Sequence, residues 1–140
     1  MAESDTSSET ASAREALVMQ RCIAAVFLGL GSWCLFAPGS VIALGVRPEH
    51  QSQSLLSLVL MGAFGAQACL GGLFAWFATF TRRTFIAYGI ALLPFFVFDW
   101  WFYAVRPVLN ELVLIDAIGN LAMLLLCWRG AHLLRYTATK

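Results

Sequence analysis

The sequence predicts an all-α, polytopic membrane protein: a bundle of four transmembrane helices with almost no soluble part. Three observations lead there. Of 140 residues 60% are hydrophobic and only 12% charged, with a mean hydropathy of +0.76, more apolar than a soluble domain needs to fill its core. Long apolar runs, each close to the ~20 residues that cross a bilayer, are separated by short polar punctuation. None of the runs alternates polar and apolar residues as a barrel wall does, and each is about twice the length of a barrel strand.

The chain divides into a tail over residues 1–13, a membrane domain over 14–135 and a short end over 136–140. MAESDTSSETASA is rich in Ser, Thr and Glu without apolar periodicity, so a disordered tail is expected. Span one, Leu17–Ala37, has an acidic flank and exceeds a signal-peptide core in length, so it is read as a retained anchor. It stops at Pro38–Gly39, and SVIALGV is too short to cross again, which suggests an interfacial or re-entrant segment.

Span two, Ser54–Phe80, contains GAFGAQACLGG, where Gly62, Gly65 or Ala66, Cys69 and Gly72 recur every three to four residues. In lipid, helices associate by van der Waals fit and close backbone approach, so this stripe is a packing surface for another span or for a second copy. No strand precedes these glycines, which removes a nucleotide-binding loop. Span three, Thr84–Val105, carries Pro94, which removes a backbone donor and favours a kink. The aromatic run that follows, FDWWFY, suits a membrane interface. Span four, Asn110–Trp128, opens with Asn110 and Glu111, a cap and an acidic group where the helix dipole favours them.

Orientation comes from the basic residues. One side carries Arg14, Arg21, Arg82, Arg83, Arg129, Arg135 and Lys140, and the other only Arg47 and Arg106. Basic short loops stay cytoplasmic, so both termini are expected there, with Arg47–Gln53 and the Arg106–Pro107 turn opposite.

Asp99 and Asp116 are the ionisable residues that matter, because a charge at a helix centre costs about 2.5–3.5 kcal/mol on insertion scales. Asp99 lies eight residues before Pro107 and Asp116 nine after it, which gives two antiparallel neighbours nearly equal depth. Each is roughly 10–13 Å along its helix from the turn. Asp116 and Asn120 share a face, as do Asp99, Tyr103 and Arg106 at helical spacing. With Trp100 in the aromatic run and Gln67 near the middle of span two, these residues make a candidate pocket in the outer leaflet. Two carboxyls with little water between them do not both stay ionised cheaply. Sharing a proton would suit proton-coupled transport, acid-base work on a lipid or sterol, or recognition of an amine or hydroxyl; interhelical packing is the simpler use.

Other chemistries leave no mark. HExxH, GxSxG and P-loop patterns are absent, so no catalytic residue is named. His50 and His132 lack ligand spacing, no cofactor motif or CxxC occurs, and Cys22, Cys34, Cys69 and Cys127 read as small packing residues. A net charge of +1 with no basic patch between aromatics argues against nucleic acid. The partners expected are membrane lipids, with a homo-oligomer or a membrane complex as the protein partners.

FLGLGSWCLFAPGSVIALGV, GAFGAQACLGGLFA and DAIGNLAMLL, spread over about residues 20–130, resemble the DoxX-like group of small four-helix membrane proteins. The resemblance implies a four-helix membrane bundle and, from some relatives, association with membrane redox complexes. It carries over no catalytic residue, and without a Cys pair redox chemistry by this chain alone is not expected.

Overall fold

An apolar run in lipid has no water to satisfy its peptide groups, so it closes its own hydrogen bonds as a helix. In a computed structural model, which describes the backbone of residues 2–135 and the side chains of residues 10–135, five helices form: α1 (Ala2–Phe36), α2 (Pro38–Gly45), α3 (Leu55–Phe77), α4 (Arg82–Trp100) and α5 (Val113–Leu133). Four segments are long and apolar enough to cross a membrane: Thr10–Phe36, Leu55–Phe77, Arg82–Val105 and Val113–Leu133.

Local chemistry sets the ends. Ser54 caps α3, its Oγ accepting from the Ser57 amide at 3.2 Å. Thr81 and Thr84 exchange side-chain and backbone hydrogen bonds of 3.2 and 3.3 Å in a capping box, so α4 begins before the expected Thr84. Pro38 occupies the first turn of α2, where a missing N–H costs nothing. That short helix is the form taken by the segment too short to cross. Pro94 sits inside α4, which continues as one helix to Trp100. Asn110 accepts from the Leu112 amide at 3.0 Å, ahead of α5 rather than within it. Residue 1 and the expected end segment 136–140, with Lys140, lie outside the described residues. The helix α1 reaches back to Ala2 through the stretch that the sequence reading leaves as a tail; extending an existing helix needs no new nucleus.

Sequence spacing alone does not anticipate the end of α4. Residues Trp101–Val105 form a wide turn in which the Arg106 amide donates to the Trp101 carbonyl, five residues back, at 2.8 Å. Such a turn holds more residues than an α-turn and rotates whatever follows.

In the bundle α1 lies between α3 and α5, and α5 packs on α4. The α1–α3 seam is backbone against backbone: a Cβ on Gly31 would meet Cys69 N at 2.7 Å and Gly65 O at 2.9 Å, and one on Gly72 would meet Leu28 N at 3.0 Å. Between α4 and α5 the fully buried Phe85 ring lies over Gly130. Phe85 also meets Phe80 edge-on at a centroid distance of 5.0 Å. A Cβ on Gly130 would sit 2.5 Å from Phe85 Cε1, so Gly130→Ala is expected to destabilise the bundle by about 1–3 kcal/mol through overpacking. Unfolding in mixed micelles would measure this, and adding Phe85→Leu should recover part of the loss.

Each end of the bundle is tied by side chains that bond to backbone. At the arginine-rich end Gln20, 3% exposed, donates to the carbonyls of Ala75 (2.7 Å) and Ala78 (2.8 Å) and accepts from the Phe80 amide (3.3 Å). Nearby, Glu15 and Arg129 form an ion pair between α1 and α5. At the opposite end the α2–α3 connection lies against the α4–α5 connection. The Arg47 amide donates to Val108 O at 2.9 Å and its Nε to Leu109 O at 3.0 Å. Asn110 answers through its amide to Gly45 O (3.1 Å) and its side chain to Leu44 O (2.6 Å). Gln51 donates to Ala43 O and Val46 O at 3.0 and 2.9 Å.

Candidate functional site

The α4–α5 turn places Asp99 of α4 beside Asp116 and Asn120 of α5. Asn120 links them: its Nδ2 donates to Asp116 Oδ2 at 2.9 Å and, at a longer 3.5 Å, to Asp99 Oδ2. Both hydrogens of one amide nitrogen are thereby committed to carboxyl groups. Asp99 and Asn120 are buried, 7% and 4% exposed, whereas Asp116 lies at the surface of the bundle. The cluster therefore runs from the interior to the outside through a single side chain. Among the described residues, neither carboxyl pairs with a cation; the Glu15–Arg129 pair belongs to the other end.

The remaining pocket candidates do not converge here. Tyr103 and Arg106 share a face with Asp99 only if α-helical spacing continues, and the wide turn at Trp101–Val105 breaks that spacing. Arg106 is exposed and Tyr103 partly so. Trp100 is 61% exposed on the outer surface. Gln67 is exposed on α3, about 140–160° around the helix from Gly72 and Gly65, the residues that hold α3 to α1. Of the small-residue stripe, Gly65, Cys69 and Gly72 meet α1, Gly62 stands at the rim with its Cβ direction 3.9 Å from Leu35 O, and Ala66 is exposed.

An apolar groove of about 380 Å³ opens between α1 and α4, lined by Phe27, Ala87, Tyr88, Ala91, Leu92 and Phe95. Tyr88, Leu92 and Phe95 follow each other at four- and three-residue steps, and the next step of four reaches Asp99. One stripe of α4 thus runs from the groove to the carboxyl cluster, with about 6 Å of helix between Phe95 and Asp99.

Two polar residues were not singled out from the sequence as interior groups. Gln20 stands between Met19 and Arg21, and a lone amide in an apolar run, level with the turn of the facing hairpin, is a usable signal. Arg21 reads from sequence as an interfacial anchor; its guanidinium lies over the Trp76 ring at 4.2 Å, and its Nε is buried without a hydrogen-bond partner. The four cysteines are free thiols, and among the described residues no three His, Cys, Asp or Glu side chains gather to hold a metal. In comparisons with known proteins the chain matches no family model, no curated protein and no solved structure.

Proposed function

We propose that this protein binds an amphiphile within the membrane, its head held by Asp99, Asn120 and Asp116 and its tail along the Phe27–Phe95 groove. The observation that carries the reading is a buried carboxyl, linked through Asn120 to a second one at the surface, with no cation set against either among the described residues. In a medium of low dielectric such a cluster favours a head that donates hydrogen bonds, an ammonium or a hydroxyl group. The groove supports the tail, since its lining is apolar and its α4 stripe leads to Asp99. From the seven-to-two distribution of basic residues, we further propose that both termini are cytoplasmic and that the cluster lies in the opposite leaflet.

Lipid extraction and native mass spectrometry of protein purified from membranes test the reading. Wild type is expected to retain an amphiphile with an amine or hydroxyl head. The double variant Asp99→Asn with Asp116→Asn, and separately Ala91→Trp in the groove, should each lower its occupancy at least tenfold. Wild-type lipid profiles in both variants, with unchanged unfolding midpoints, would remove the proposal.

A further inference from the structure

The residue left over from the candidate pocket is Gln67. It lies twelve residues after Leu55 and ten before Phe77, in the middle of α3, so about 15–18 Å of helix separates it from the two ends. Its side chain is too short to span that distance and reach water. It is exposed on the surface of the bundle, and among the described residues it makes no hydrogen bond. An amide with two donor hydrogens and a carbonyl acceptor facing hydrocarbon is costly until a partner supplies the complement.

Among the described residues none supplies it, and α1 is held to the opposite side of α3 by Gly65 and Gly72. Another carboxamide complements a carboxamide, since each brings both donor and acceptor. A two-fold axis sets the same residue opposite itself. We infer that two copies of this protein associate through the outward side of α3, with the Gln67 amides hydrogen-bonded to each other across the axis.

The surroundings of Gln67 permit the approach. Ala63 and Gly71 lie one turn to either side in the same row, and small residues in such a row allow two helices to come close. Gly71 has a particular bearing: a Cβ there would meet nothing within 4 Å. The fold therefore does not require this glycine, although glycine weakens a helix interior relative to alanine. Its neighbour Gly72, by contrast, is needed within the chain, where a Cβ would lie 2.8 Å from Leu28 Cγ. The exposed Leu60, Phe64, Leu70 and Phe74 provide the bulk around the small centre.

The test is energy transfer between donor- and acceptor-labelled full-length chains in phosphatidylcholine vesicles, titrated over protein-to-lipid ratio. Wild type is expected to form dimers that dissociate on dilution. Gln67→Leu should weaken association at least tenfold, Gln67→Asn should stay within about threefold of wild type because it keeps the amide, and Gly71→Leu should weaken it as Gln67→Leu does. Unfolding midpoints should not move for the Gln67 variants, since that side chain makes no hydrogen bond among the described residues; Gly71→Leu is compared after its own midpoint is measured, because the Gly71 carbonyl accepts from Tyr88 Oη at 3.0 Å within the chain. A wild type that is monomeric at every density overturns the inference, as does a stoichiometry above two. Wild-type association in Gln67→Leu or in Gly71→Leu overturns it equally, since the contact would then use another face.

Discussion

Gly65→Ala is expected to force α1 and α3 apart. The added Cβ would lie 2.6 Å from the Gly31 carbonyl oxygen and 2.8 Å from the Cys34 carbonyl carbon, with the Leu35 amide nitrogen closer still. All three are backbone atoms. A clash with a side chain can be relieved by a new rotamer, but here one helix must translate against the other and give up the contacts on both sides. The expected loss is at the upper end of overpacking, about 3 kcal/mol or more. Gly62→Ala, whose Cβ would meet only Leu35 O at an ordinary 3.9 Å, and Gly29→Ala, which would meet nothing within 4 Å, should be near neutral. Unfolding of all three variants in one mixed-micelle system separates the seam from the general effect of adding a methyl group. Equal losses at all three positions would contradict the close-packed seam.

Gln20→Leu is the second large effect. The carbonyl of Ala75 is one of those a helix end leaves without an intrahelical partner, and Ala78 and Phe80 lie in the connection to α4. Gln20 serves all three from within the core. Leucine fills a similar volume but leaves two acceptors and a donor unpaired. At about 1–3 kcal/mol for each buried group left unsatisfied, and with water reaching some of them, a loss of about 3 kcal/mol is expected. Gln20→Glu should do no better, because it keeps the acceptor for Phe80 and presents a carboxylate to two carbonyls. Hydrogen exchange gives the local signature: faster exchange at the end of α3 and in the Thr81–Thr84 capping box, ahead of any global unfolding. Wild-type protection in that region would show that the three bonds contribute little.

The two effects illustrate what could be read from the sequence. Span number and approximate ends follow from hydropathy, because lipid leaves the backbone one practical solution. The nearness of Asp99 and Asp116 follows from counting outward from Pro107, since a short turn fixes the register of the helices that it joins. Rotation about each helix axis is harder. A helix that faces lipid on one side and other helices on the next is apolar all round, so the amphipathic signal that orients a soluble helix is nearly absent. Gln67 and Ala66, which no such signal orients, are exposed, whereas Gly65 and Gly72 meet α1, because a glycine marks close approach rather than polarity. Tyr103 and Arg106 failed differently: a single wide turn after Trp100 broke the spacing on which their placement relied. The contact between the two connections was not legible at all, since its acceptors are main-chain carbonyls, which every residue type supplies.

That last property determines how the contact tolerates change. Leu44 and Leu109 contribute carbonyl oxygens to it, Ala43 and Val46 do the same for the brace that Gln51 makes within the first connection, and none of their side chains has a part in those bonds. Arg47 and Asn110 contribute side-chain donors across the contact, and Gln51 contributes the donor within the first connection. In a saturation scan scored for folded protein, the accepting positions should accommodate many residue types while the donating positions stay narrow. The connections would then drift freely at alternate places yet keep their grip, a pattern of one-sided constraint across two loops some sixty residues apart in the chain.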